Sequence, residues 1–224
     1  ANGDININAA MNAGAVDASN YATLSLKAGY STPGSSGGTY DSSKAVLVGM
    51  NSSGFKGSVT FKDYLGAARA DSSSLSINGN SYTLLNSITG IQNIGTTGNY
   101  ALSSSIDASS TSGWNSGLGF QPIALGGSFS GSFNGLGHSI SNLTINRPLV
   151  SGIGLFSIVN GGLVSNTALL GGSFTGNDAV GAFAGQLVST SSSTYAYLLN
   201  TFSTSNVSGV GGTGGLIGGV IGYQ

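Results

Sequence analysis

The chain has 224 residues, of which six are Lys or Arg and seven are Asp, with no Glu; this charged fraction of 6% compares with roughly 25% in ordinary globular domains. Six scattered cations make no basic stripe for nucleic acid, and 39% hydrophobic residues at a net charge of −1 exclude intrinsic disorder. Cysteine is absent, which removes disulfide staples, and no apolar run reaches the roughly 18 residues of a membrane helix.

In chain order, short alternating runs bounded by Gly, Asn and Ser recur, which is the strand signal. "DININA" (4–9) sets Ile5 and Ile7 on one face, and "ATLSLKA" (22–28) sets Leu24 and Leu26. "SVTFK" (58–62) pairs Val59 with Phe61, and "SLSING" (74–79) pairs Leu75 with Ile77. "HSISNLTIN" (138–146) carries Ile140, Leu143 and Ile145. A one-residue slip would turn each set to the wrong face, so these strands have a defined inside. Helical periodicity is nearly absent; a single short helical turn is expected at Tyr64–Arg69. Glycine-rich loops at 31–38 and 109–119 read as excursions from a regular body.

The second half repeats itself. "GIGLFSIV" (152–159), "AVGAFAGQL" (179–187) and "TGGLIGGVIG" (213–222) share one phrase, which sets Phe156 beside Phe183. "VSNTALLGGSFTG" (164–176) and "LLNTFSTSNVSG" (198–209) share another, which sets Asn166 beside Asn200. A repeat of strand, turn and strand points to an all-β parallel β-helix, a solenoid with loop excursions, of about 20–30 residues per turn. A β-sandwich uses similar strands but predicts no internal repeat. Strands stacked about 4.8 Å apart would bring Asn142, Asn166 and Asn200 into one structural ladder of amides.

"FSGSFNGLGHSISNLTI", "GLFSIVNGGLVSNTALLGGSFTG" and "VGAFAGQL" resemble the GLUG-type repeats of large secreted adhesins. "GDININA", "ATLSLKAG" and "YALSSSIDAS" resemble turns of the filamentous haemagglutinin family, exported by two-partner secretion. The resemblance covers residues 1–30 and 75–222. It implies one right-handed β-helical segment over 1–224, with haemagglutinin-type turns in 1–74 and GLUG-like turns in 75–224. It implies a secreted or outer-surface location on a Gram-negative bacterium, passage through an outer-membrane secretion pore, and adhesion to a glycan or to a host or biofilm surface. The family's Asn-Pro secretion motifs are missing, since Pro33, Pro122 and Pro148 follow Thr, Gln and Arg. The chain is therefore expected to be a piece from beyond the secretion domain.

No catalytic residue is assigned. His138 is the single histidine, so His–Cys metal sites are ruled out by count, and neither a metal nor a cofactor is expected. His138 reads as a corner position, packed on a neighbouring turn with one nitrogen bonded to backbone. The carboxylates Asp4, Asp17, Asp41, Asp63, Asp71, Asp107 and Asp178 are dispersed, whereas glycosidic-bond cleavage needs a close pair. The alternatives of a polysaccharide-degrading enzyme and a haem-acquisition exoprotein stay open. Trp114, the sole tryptophan, lies in "SGWNSGLGF" and has two readings: it stacks a sugar ring, with Asn115 and Asp107 bonding its hydroxyls, or it covers the edge or end of the core.

Overall fold

The computed structural model describes residues 5–14, 22–26, 46–62, 73–189, 195–211 and 221–223. They form an all-β structure in which, among the described strands, only two pairings are antiparallel. The expected helical turn at Tyr64–Arg69 lies outside the described residues.

The N-terminal part makes two passes. The first holds β1 (Ile5–Ile7), β2 (Ala10–Gly14) and β3 (Thr23–Leu26). The second holds β4 (Val46–Val48), β5 (Met50–Asn51), β6 (Gly54–Phe55), β7 (Ser58–Lys62) and β8 (Ser74–Ile77). Ile5 lies opposite Val46, Ala10 opposite Ser58 and Thr23 opposite Ser74, all in parallel pairs. The alternation in "SVTFK" works as its pattern dictates: Val59 and Phe61 are fully buried while Ser58, Thr60 and Lys62 are half-buried.

β8 turns back into β9 (Asn80–Leu85) through Asn78 and Gly79, with φ of 53° and 81°. Two successive positive φ values are what a two-residue hairpin turn requires, and Asn-Gly supplies them. A short helix follows, α1 (Ile88–Gln92), capped by Ser87, whose hydroxyl accepts the Gly90 N–H at 3.1 Å. Its buried side chains are Ile88 and Ile91.

From here the chain makes repeated passes in one order. The first holds β10 (Asn99–Leu102) and β11 (Ile106–Asp107), then a 3-10 segment at Ser109–Gly117. The second holds β12 (Ser132–Asn134), β13 (Ser139–Ser141), β14 (Thr144–Asn146) and β15 (Phe156–Asn160). The third holds β16 (Leu163–Ser165), β17 (Ala168–Leu170), β18 (Ser173–Gly176) and β19 (Ala184–Val188). The fourth holds β20 (Tyr197–Leu199), β21 (Phe202–Ser203), β22 (Asn206–Gly209) and β23 (Ile221–Tyr223). Each sheet takes one strand per pass: β11-β13-β17-β21, β14-β18-β22, β15-β19-β23, and a seven-stranded sheet that runs β20-β16-β12-β10-β9-β8-β3. In backbone register the second and third passes lie 28 to 31 residues apart, near the upper end of the 20–30 expected. The third and fourth lie 33 to 37 apart, because loops between the strands add length without disturbing the pairing.

The seven-stranded sheet is buried on both faces. Leu85, Leu102, Phe133 and Val164 enter a larger core with Phe129, Phe156, Phe174 and Phe183. Leu84 and Ala101 enter a smaller core with Ile7, Val48, Val59, Phe61, Leu75 and Ile77. β3 and β8 of the two N-terminal passes thus extend this sheet at one edge, while Val48 of β4 and Val59 and Phe61 of β7 pack with Leu84 and Ala101 in the smaller core.

The repeat phrase around Phe156 needs a correction. Ile153 bridges Val180, but Phe156 pairs with Ala184 and not with Phe183. The later pass carries one extra residue between these points, the signature of a bulge. Phe183 still reaches the core, and its carbonyl accepts the Phe156 N–H at 2.9 Å.

Candidate functional site

The asparagines fall into two places. Asn166 and Asn200 stand at the same corner of successive passes, with φ of 50° and 55°. Asn tolerates this left-handed region better than other residues with a side chain. Asn200 Nδ2 donates to Asn166 Oδ1 at 2.7 Å, and Asn166 Nδ2 donates to Asn134 Oδ1 at 3.1 Å. The third rung is thus Asn134, not Asn142. Asn142, with φ of 60°, occupies the next corner, between β13 and β14, where the following pass has Gly171 and Gly172 between β17 and β18. There its Nδ2 donates to Asp107 Oδ1 at 3.1 Å.

The ladder also holds the two parts together. Asn166 Nδ2 donates to Val46 O at 2.9 Å while Asn166 Oδ1 accepts from Val48 N at 3.0 Å. Asn200 Nδ2 donates to Val48 O at 2.7 Å. A side-chain amide has one acceptor and two donors, so Asn166 pairs with β4 as a strand residue would. Beside it, Val59 N donates to Leu136 O and Phe61 N to Ser103 O. Gly137, with φ of 83°, lets the chains meet: a Cβ there would lie 2.2 Å from Gly57 O.

His138 belongs to this joint. It is buried, and its Nε2 lies 2.8 Å from Val59 O. A carbonyl only accepts, so Nε2 carries the hydrogen. Its ring nitrogen bonds to β7 of the N-terminal part, while its carbonyl accepts Ala168 N of the next pass at 3.3 Å. Burial pushes its pKa below the ordinary value, opposed by the bond to Val59. The unfolded chain, titrating near 6.5, therefore binds the proton more readily than the folded one. Stability from this group is complete above about pH 6.5 and falls as the pH drops through the window below it, by at most about 1.4 kcal/mol per pH unit. Urea midpoints measured from pH 7.5 down to 5.5 should fall, and H138Q should flatten that slope. An unchanged slope would show that His138 is not the titrating group.

The predicted sugar-binding residues separate in space. Asp107 closes the turn before the 3-10 segment: Oδ1 accepts Ser109 N and Oδ2 accepts Ser109 Oγ, both at 3.0 Å. Hydrogen bonds from Asn142 first, then Ser109, hold its carboxyl below the usual carboxylate range. It does not join Trp114 and Asn115.

Trp114 and Asn115 do lie together, on the rim of a cleft of about 470 Å³ lined by Gln92, Asn93, Trp114, Asn115 and Gln121. Thr111 anchors the segment that carries them; its buried hydroxyl donates to Ala108 O at 2.6 Å and accepts Thr144 N at 3.0 Å. Beyond Gly113 the backbone extends at Trp114 and then turns left-handed at Asn115 (φ 51°), Ser116 (φ 57°) and Gly117 (φ 87°). Each non-glycine residue held there costs about 1–2 kcal/mol. The turn is closed by Leu118 N to Asn115 O, Gly119 N to Trp114 O, and Asn115 Nδ2 to Gly119 O at 2.7 Å. Half-buried Trp114 stacks on Phe120, with ring centroids 6.4 Å apart and planes at 25°. Strain of this kind is retained where surrounding structure fixes a particular side-chain position.

The opposite wall is the end of α1. Gln92 Nε2 donates to Gln121 O and Gln92 Oε1 accepts from Gln121 N, both at 2.9 Å. This reciprocal pair fixes the helix end against the segment that follows the Trp114 turn. Sequence reasoning missed Gln92, Asn93 and Gln121. The available signal was the "QN" pair at a helix end and a second Gln just after Phe120; only the passage of the chain around the core brings them together.

Among the described residues no group of three or more His, Cys, Asp or Glu is placed to hold a metal ion. No described helix is long and apolar enough to cross a membrane.

No protein-family model matches the chain, and no solved structure matches it. A stretch of 92 residues, 41% of the chain, is 41% identical to part of Halomucin from Haloquadratum walsbyi. The chain spans 1% of that protein's length.

Proposed function

We propose that the chain is a right-handed parallel β-helical segment of a secreted or surface-exposed adhesin, and that its Trp114 cleft binds carbohydrate. The carrying observation is the lining of that cleft: Trp114 and Asn115 on a strained, tightly closed turn, faced by the amide side chains of Gln92 and Asn93 at the end of α1 and by Gln121. A sugar has an apolar ring face and a rim of hydroxyls. An aromatic ring meets the first, and amides, which donate and accept, meet the second. No catalytic group is needed, and the stacked parallel sheets serve as a rigid support for the turn. The similarity to Halomucin supports a place outside the cell. Export by two-partner secretion from a Gram-negative bacterium, and kinship with filamentous haemagglutinin-like adhesins bearing GLUG-type repeats, belong to the same reading. They are supported by the order of the quoted segments and by the parallel register of the strands.

A glycan array probed with the intact chain and with Trp114→Ala tests this. Binding by the parent and a drop of about tenfold or more in the variant, the effect of losing about 1.4 kcal/mol, is the expected result. Unchanged melting of the variant would keep that loss local. A parent chain that binds no glycan would reduce the segment to a stalk. Turnover of a polysaccharide that depends on an Asp would replace adhesion with catalysis.

A further inference from the structure

The ligand class of the Trp114 cleft follows from what lines it; this inference rests on the carbohydrate reading above. Trp114, Asn93, Asn115, Gln92 and Gln121 are all uncharged. Neither Arg147, whose Nε donates to Phe120 O at 3.3 Å, nor Asp107, bound by Ser109 and Asn142, lines the cleft. The Gln92 amide is consumed by its reciprocal bonds to the Gln121 backbone. Asn115 commits its Nδ2 to Gly119 O, which leaves its Oδ1 to accept. The amides of Asn93 and Gln121 remain to donate and accept.

An anionic sugar entering such a cleft finds no lining cation to offset the water its carboxylate or sulfate gives up. A neutral ring meets no such penalty. We propose that the cleft selects uncharged pyranosides, one ring lying on Trp114 with its hydroxyls bonded by Asn93, Asn115 and Gln121, and that it discriminates against uronate-containing and sulfated glycans. Binding is then insensitive to ionic strength, because no ion pair is screened. Gln92 is a positioning residue: it holds the helix end that supplies Asn93 against the backbone of Gln121.

Trp114 is the only tryptophan in the chain, so tryptophan emission reports on this cleft alone. The intact chain is titrated with neutral gluco-, manno- and galacto-oligosaccharides, and separately with oligogalacturonate and a sulfated oligosaccharide, at low salt and at about 0.5 M salt. Saturable emission changes with at least one neutral series, unaltered by salt, and none with the anionic probes, are expected. Gln121→Ala removes an exposed side chain and keeps the backbone pair with Gln92; it should weaken neutral-sugar binding about fivefold without lowering the melting temperature. Binding of the anionic probes with strong salt dependence would overturn the proposed class while leaving carbohydrate binding intact. Glycan retention with no emission change would place the sugar elsewhere and overturn the assignment to this cleft. Failure of every probe, on the array as well as by emission, would overturn the carbohydrate reading itself.

Discussion

Asn166→Ala is expected to destabilise the fold by on the order of 3–6 kcal/mol, read as a lower urea midpoint. The estimate follows from what the amide holds. Asn166 is fully buried and bonds Val46 O, Val48 N, Asn134 Oδ1 and Asn200 Nδ2. Truncation leaves Val46 O and Val48 N without these partners, each at about 1–3 kcal/mol, and takes one bond each from Asn134 Oδ1, which still accepts Leu136 N, and Asn200 Nδ2, which still donates to Val48 O. Partial relaxation and water access at half-buried Asn200 bring the sum down. Asn166→Asp keeps the volume but sets a carboxylate oxygen against Val46 O and Asn134 Oδ1, so it should be at least as damaging. The control is Asn142→Ala, at a residue that is exposed and shares the positive φ. It should lose only about 1–2 kcal/mol, from the left-handed backbone and one solvent-facing bond. Equal losses at the two positions would show that the ladder does not join the N-terminal passes to the later ones.

The same pair of residues shows what could be read in advance. Asn142, Asn166 and Asn200 all sit where the backbone turns left-handed, and the short phrase around each is alike. Local chemistry identifies a corner, but it does not say which corner. Asn166 and Asn200 are separated by one full pass, whereas Asn142 and Asn166 are separated by less than one. Asn134 was hidden because Gly135-Leu136-Gly137-His138 makes its corner longer than the Asn166-Thr167 corner of the next pass. The alternating strands at 5–7, 23–26, 58–62, 74–77 and 139–146 were legible because period-two burial is written residue by residue. Asn78-Gly79 carried a hairpin signal that "SLSING" alone did not use. The docking of β4 and β7 of the N-terminal passes against the later ones was not legible, since it rests on bonds such as Asn166 to Val46 across 120 residues. Trp114 and Asn115 were legible as loop residues with the right chemistry. Asp107 was not separable from them, because proximity in sequence says nothing about which side of a turn a carboxylate faces.

Phe156→Ala should cost about 3–5 kcal/mol, the usual range for emptying a buried phenylalanine site. Phe156 is fully buried in β15; its ring lies 4.7 Å from that of Phe129 and 5.6 Å from that of Phe133. Phe133 belongs to the seven-stranded sheet and Phe156 to the sheet β15-β19-β23, so this contact spans the interior between two walls. The edge-on approach to Phe133, at 75°, adds about 0.5–1.5 kcal/mol beyond area burial. Collapse into the void is limited, because Phe156 N and Ser157 N are bonded to Phe183 O and Ile123 O of the passes on either side. Those bonds tie the Phe156 backbone to its neighbours along the stack and resist its moving inward. Phe156→Leu keeps most of the volume and should lose clearly less. Denaturant unfolding should show the midpoint falling in that order with the slope unchanged, since the surface exposed on unfolding stays the same. A Phe156→Ala chain within about 1 kcal/mol of the parent would mean that the rings are not in mutual contact in solution. The stacked passes would then not enclose a packed interior, and the rigid support assigned to the Trp114 turn would be lost with it.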